Sequence, residues 1–312
     1  MACLAAAPAA VALFPAWLRA QAGGGEHSAL VLELPSSARA AALGGAFAAV
    51  GEDDAALFHN PAQLATVRGR AATLSAQRHV ASSTLGALSA AARLGAGTLA
   101  LGIRTLGYGS APEVVPDPGG GGRGVETGAR VSAGELAVTG GYALPVRARL
   151  RLGVAGTLVH QRVAGAGGGS GALDVGAAWA AHRRLTVGAA AQHLGPGITL
   201  AGVRAPLPRT LRLGAAAQAA RRGALALLAT AEIQQVAGGR ARWAGGAEGT
   251  WAPPGRVQLV ARVGVVTRDI DGVAEPLSFG GSLLARPLAV DYAYRGFGAL
   301  GGTHRVAIRW AR

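Results

Sequence analysis

The residues that could carry covalent, acid–base or metal chemistry are few in this chain and poorly placed for it. The one cysteine, Cys3, lies in the first apolar stretch. The rest of the chain therefore has no disulfide, no thiolate nucleophile and no cysteine-based metal site. The seven histidines are spread out, with no HExxH or comparable pair, so no metal ligands are assigned. There is no GxSxG. The cluster Gly119–Gly122 lacks the Lys-Ser/Thr ending of a phosphate loop and reads as flexible linker. Asp174, Glu232 and Glu248 have many arginines to pair with, as Arg240 or Arg242 with Glu248, so ion pairing explains them better than catalysis. The chain is read as no enzyme, with no catalytic residue and no cofactor.

One stretch stands apart, residues 36–65, SSARAAALGGAFAAVGEDDAALFHNPAQLA. It is the only long segment that reads neither as strand nor as turn. A small-residue run leads to Gly44-Gly45, and the acidic triplet Glu52-Asp53-Asp54 precedes a helix-length apolar run. Asp53 or Asp54 can cap that helix, and negative charge suits its N-terminus. Asn60 tolerates left-handed geometry and Pro61 disfavours helix before it. Asn60-Pro61 therefore ends one short helix, and Pro61 can start another through Ala62–Ala65.

The elements around this stretch are strands. From Arg70 onward the sequence reads as fourteen segments of alternating polarity between turns. In 256–265, Arg256, Gln258, Arg262 and Gly264 share one face, opposite Val257, Leu259, Ala261, Val263 and Val265. Arg147, Arg149 and Arg151 oppose Ala148, Leu150, Leu152 and Val154, and Arg305 and Arg309 oppose Val306, Ile308 and Trp310. Such a polar-in, apolar-out dyad belongs to a membrane barrel, although a soluble sandwich has the same period. Loop length favours the membrane. Connections 108–129, 163–169, 195–207, 268–275 and 296–302 are long and alternate with short turns. Outer-membrane barrels have long external loops and short periplasmic turns. Tyr142, Trp179, Trp251 and Trp310 fall near the expected periplasmic ends, where an aromatic girdle sits. The fold class is all-β, a closed antiparallel transmembrane β-barrel of about 14 strands with a short N-terminal helical plug segment.

The organisation follows. Residues 1–22 read as a secretory signal peptide ending in Ala20-Gln21-Ala22, an A-x-A site, without the usual basic residue ahead of the apolar run. Residues 23–69 form a periplasmic or plug segment, and 70–312 the barrel. The net charge of +14 comes from 30 arginines with no lysine. No recognition helix, zinc spacing or aromatic RNA motif accompanies it, so nucleic acid is not a partner. A basic barrel wall, or attraction to anionic headgroups, uses that charge better.

The 36–65 stretch resembles the N-terminal signature of the PorV/PorQ family of bacterial outer-membrane β-barrels, which is similar to the FadL-like barrels. Ser37 to Leu43, Gly44-Gly45-Ala46-Phe47, Asp53-Asp54 and Asn60-Pro61-Ala62 match; Leu43 stands where Met is common and Gln63 where Gly is usual. The end of the chain, PLAVDYAYRGFGALGGTHRVAIRW, resembles the family's final hairpin, with Asp291 and Arg295 expected inward and Val290, Tyr292 and Tyr294 toward lipid. The resemblance implies an outer-membrane location, outer-membrane lipid as surroundings, and a role in protein export of the type IX kind, with cargo met by loops 108–129 and 195–207. The alternative it implies is FadL-like uptake of hydrophobic small molecules. A third reading is a structural barrel with a filled lumen. The candidate plug or gate residues are Gly44, Gly45, Asp53, Asp54, Asn60 and Pro61, with Leu57 and Phe58 as apolar ligand contacts.

Overall fold

The computed structural model describes residues 27–78, 83–117, 119, 124–255, 257–267 and 275–312. The expected leader at 1–22 lies outside the described residues.

Fourteen antiparallel strands close into a barrel. They are β1 (Arg70–Arg78), β2 (Thr84–Leu94), β3 (Gly97–Pro116), β4 (Gly124–Arg147), β5 (Leu150–Val163), β6 (Ala166–His182) and β7 (Leu185–Leu194). After a small hairpin of β8 (Ile198–Leu200) and β9 (Val203–Ala205) come β10 (Thr210–Arg222), β11 (Leu225–Val236) and β12 (Arg242–Trp251). Then follow β13 (Val257–Val266), β14 (Leu277–Ala285), β15 (Leu288–Gly296) and β16 (Gly302–Ala311). Neighbours in sequence pair, except that β7 pairs with β10 across the small hairpin. Pairing of β1 with β16, from Ala71 opposite Ala311 to Arg78 opposite His304, closes the ring.

The period-two pattern explains why these segments fold as strands and which way they face. In β13, Val257, Leu259, Val263 and Val265 are exposed on the exterior while Val260 and Arg262 are buried toward the lumen. In β16, Val306 and Ile308 face out and Arg305 is buried. Leu158 on β5 is 72% exposed and Leu101 on β3 60%. A wall of exposed Leu, Val and Ile around a ladder closed by the β1–β16 pairing matches a hydrocarbon surround. Among the described residues no helix is long and apolar enough to cross a membrane. Asp291 is buried inward and Val290 and Tyr292 are exposed, as the final hairpin leads one to expect.

Three connections depart from the expected loops. In place of a loop over 108–129, β3 and β4 run on beyond the ring, with Val114–Pro116 pairing Glu126–Gly124. The β-branched residues there sustain a two-stranded arm. In place of a loop over 163–169, β5 and β6 continue to a tight turn at Ala164 and Gly165, both at positive φ, and Gly167 to Gly169 pair with Arg162 to His160. Glycine weakens a strand, but a register set by its neighbours carries it. The 195–207 connection folds into the β8–β9 hairpin and lies against β6. Residues 268–274 of the fourth connection lie outside the described residues.

The N-terminal segment occupies the lumen. At the long-loop end the Ser28 amide donates to the Pro206 carbonyl at 2.9 Å. Ala29, Val31 and Leu32 pack there with Leu85, Leu106, Ala137, Val159, Ile198 and Leu207. At the short-turn end the Arg93 amide donates to Gly69, and Arg70 and Arg312 exchange backbone hydrogen bonds. Residues 28–69 thus run from one mouth of the barrel to the other. They form the helix α1 (Ala38–Ala42) and 3-10 turns at Leu30–Leu32, Asp54–Phe58 and Pro61–Thr66.

Candidate functional site: a plug anchored to the barrel wall

Each turn of the plug starts from a polar cap. Ser37 Oγ accepts from the Ala40 amide and starts α1. Asp53 Oδ1 accepts from the Ala55 amide at 3.0 Å and starts Asp54–Phe58. Asn60 Oδ1 accepts from the Ala62 amide at 3.1 Å and starts Pro61–Thr66, with Pro61 in the first position where its missing N–H costs nothing. The sequence suggests a left-handed Asn60, but its φ is −152°, extended. Asn60 is used for its amide instead. Its Nδ2 donates to the Ala48 carbonyl at 2.7 Å and to the Ala177 carbonyl on β6 at 3.1 Å. A single side chain therefore caps a turn, ties two parts of the plug and joins both to the wall.

Gly44 and Gly45, at φ +67° and +86°, end α1 in geometry that a β-carbon disfavours. Gly44 also lies against β13, where an added Cβ would meet the Val265 carbonyl oxygen at 2.8 Å. The wall reciprocates. An added Cβ on Gly246 would meet Leu43 Cδ2 at 2.8 Å, and one on Gly264 would collide with the Gly44 amide nitrogen. Gly153, Gly176 and Gly188 leave space in the same way for Pro61, Asn60 and Ala48. Lumen-facing glycines thus outline where the plug touches the wall. The sequence carries this signal as glycine at inward parity, visible only once the partner segment is known.

The lumen carboxylates hold the plug electrostatically. Glu232 Oε2 accepts from the Phe47 and Ala48 amides at 2.8 and 2.7 Å, and its Oε1 pairs with Arg212 at 2.7 Å. Arg212 donates to Gln192, whose amide donates to the Phe58 carbonyl at 3.1 Å. Glu248 takes Arg39 of α1 in a two-pronged pair, both bonds 2.8 Å, and Arg262 of β13 at 2.6 Å. Its partners are thus Arg39 and Arg262, rather than the Arg240 or Arg242 that proximity in sequence suggests. The planar guanidinium suits such forked pairing. Arg39 also reaches Asp53 at 3.4 Å, so the acidic triplet is joined to the same network.

Asp54 is fully buried. Its two oxygens accept from Thr73 on β1 at 2.8 Å and Ser89 on β2 at 2.5 Å. Asp54 belongs to the enclosed plug and not to a spanning strand. Burial, then the neighbouring Asp53 carboxylate, push its pKa up to about 6. Leu57 and Phe58 are buried too. They fit against Gly141 and Gly102, and the Arg104 guanidinium stacks over the Phe58 ring at 4.6 Å. The plug motif residues are therefore gathered in one lumen, and Leu57 and Phe58 face protein on all sides in this conformation. The contacts from Glu232, Arg212, Gln192, Thr73 and Ser89 are the part that a reading of the plug stretch alone leaves out.

Comparison with known proteins bears on the fold. No family model matches the chain, and no curated protein is similar to it in sequence. Among solved structures, the chain is similar to the Pseudomonas putida toluene transporter TodX, with TM-score 0.60 and 12% identity over 88% of this chain and 96% of that one. The Ralstonia pickettii toluene transporter TbuX aligns with TM-score 0.59 and 15% identity over 92% and 98%. A Pseudomonas aeruginosa FadL homologue aligns with TM-score 0.59 and 13% identity over 88% and 98%. The chain thus has the fold of these FadL-like barrels over nearly its whole described length.

Proposed function

We propose that this protein is a bacterial outer-membrane barrel that admits small hydrophobic molecules, with residues 36–65 as its gate. The observation that carries the reading is the pairing of a lipid-adapted exterior with a lumen occupied by a segment pinned through discrete polar contacts. Such contacts have a released alternative, because the side chains that hold the plug can be rehydrated when it shifts. The fold is shared with two toluene transporters and a FadL homologue. Gly44, Gly45, Asp53, Asp54, Asn60 and Pro61 are the fixing points of the gate. Leu57 and Phe58 would meet a ligand only after the plug moves, since both are buried now. The export reading rests on the resemblance of the motifs to the PorV/PorQ family, and neither the fold nor the comparisons add to it. The 195–207 segment, one of the two loops expected to meet cargo, is packed on the barrel with Ile198 and Leu207 buried.

A tether tests the gate. An added Cβ on Gly214 of β10 would lie 3.3 Å from the Ala48 Cβ, near the roughly 3.5–4.5 Å Cβ separation of disulfides. In proteoliposomes carrying A48C/G214C, toluene uptake should be blocked under oxidation and restored by reductant. Wild-type protein should take up toluene and exclude sugars. Equal uptake by oxidised and reduced protein would remove the gate, and no toluene uptake by wild type would remove the transport reading.

A further inference from the structure

The short-turn mouth of the barrel holds a cavity of about 820 Å³, roofed by the plug at Val50, Ala65 and Val67. Eight arginines and two carboxylates line it. Both carboxylates are already used: Glu52 pairs with Arg68 at 3.0 Å, and Glu248 with Arg39 and Arg262. Arg93, Arg147, Arg149, Arg151, Arg183 and Arg184 have no ion pair among the described residues. They come from three separate turns, β2–β3, β4–β5 and β6–β7, so the cluster is made by closure of the barrel and not by one basic run of sequence. Arg151 is on β5, and its Nε is buried with no hydrogen-bond partner among the described residues.

Six like charges directed into one roofed cavity repel one another, and a mobile monovalent counterion neutralises them one at a time. An anion with several carboxylate or phosphate groups neutralises them together and uses the fork geometry of guanidinium. The cavity is within the range of small-molecule sites. We infer that this mouth binds a small polyvalent anion, bearing carboxylates or phosphates, between the plug and the β2–β7 turns. These six arginines come from the β2–β7 turns and not from the plug, so the polyanion would be held by the barrel mouth.

The test is calorimetric titration of the full-length barrel in an uncharged detergent with pyrophosphate and with citrate, against chloride and acetate at matched ionic strength. One polyanion should bind per barrel, about tenfold or more tighter than acetate. Arg147, Arg149, Arg183 and Arg184 are exposed, so the variants R147Q/R149Q and R183Q/R184Q should keep the fold. Each should weaken polyanion binding about tenfold, roughly 1.4 kcal/mol, and leave toluene uptake unchanged. Polyanions that bind no tighter than acetate would overturn the site. So would binding indifferent to both variants, or a response only to nanodiscs of anionic lipid, which would put the partner outside the cavity. If wild-type toluene uptake fails while citrate still binds, the anion site stands and the transport reading falls.

Discussion

Glu232 joins two plug amides to a buried arginine of the wall. One of its oxygens holds two consecutive plug amides, and the other holds a buried arginine. Glu232→Gln keeps the shape and removes the charge, leaving Arg212 buried without its counter-ion. Breaking a buried pair on one side costs roughly 3–5 kcal/mol. The expected result is a loss of about that size in urea unfolding, with faster hydrogen exchange of the Phe47 and Ala48 amides before the barrel strands open. Unchanged exchange at those two amides would show that Glu232 does not hold the plug. Asp54 gives the plug a pH dependence. Its pKa in the folded protein, about 6, lies above the unfolded value of 3.8. Its stabilising contribution is therefore fully present below pH 3.8 and is lost as pH rises through about 6. Burial, then the charge of Arg212 and other arginines, lowers the pKa of His59 well below its usual value, and this acts in the opposite sense. Comparison with Asp54→Asn isolates the carboxylate. Plug exchange in the variant, corrected for intrinsic rates, should lose the rise between pH 5 and pH 7.5 that Asp54 adds to wild type.

At the scale of elements, the plug and the strands depend on each other through a steric match. Gly264 of β13 sits under the Leu43–Gly44 peptide. Gly264→Ala should push α1 off the wall at a cost of about 1–3 kcal/mol, the range for overpacking. The strand ladder has no reason to break, since β13 still pairs with β12 and β14. Detergent-resistant barrel mobility on gels should persist while trypsin cuts more readily at Arg39. Deleting 36–65 goes further and should raise single-channel conductance; an unchanged closed barrel would rule the plug out. The strands themselves were legible in the sequence because period-two polarity is a local pattern, as in Val257 to Val265. The Asp53 cap was legible for the same reason, since Asp53 acts on an amide two residues away, whereas Asn60 reads as a helix end and its capping role shows only in the fold. Register with a distant partner is not local. Nothing near Gly153 or Gly176 announces that Asn60 and Pro61 will lie on them. Nor does anything near Glu248 point to Arg39, 209 residues earlier in sequence, over the nearer Arg240 and Arg242. The Val114–Pro116 arm was obscured by its own prolines and glycines, which read as a loop until pairing with 124–126 is known.

At the scale of the whole molecule, two surfaces answer to two environments. The lumen holds buried Arg104, Arg212, Arg262 and Arg305 with buried Glu135, Glu232 and Asp291, a composition that would be ruinous against lipid. The exterior at the same height is Leu, Val and Ile, and only their alternation along each strand separates the two. Leu158 lies in the middle of β5, pairing Val138 on one side and Gly171 on the other, and is exposed to the full extent that lipid contact requires. Leu158→Arg should therefore destabilise the barrel in phospholipid vesicles by roughly 2–4 kcal/mol, the cost of a cation at midplane on a barrel's outer face. The same change should cost less in detergent micelles, where water and headgroups reach the side chain. Val203, on the β8–β9 hairpin at the long-loop end, is as exposed as Leu158, but it lies beyond the ring. Val203→Arg should then be nearly neutral in vesicles. Guanidinium titration of refolding in both media measures the pair. Equal penalties for the two variants would show that exposure alone, and not membrane depth, sets the apolar character of the wall, and the membrane assignment of the barrel would fall with it.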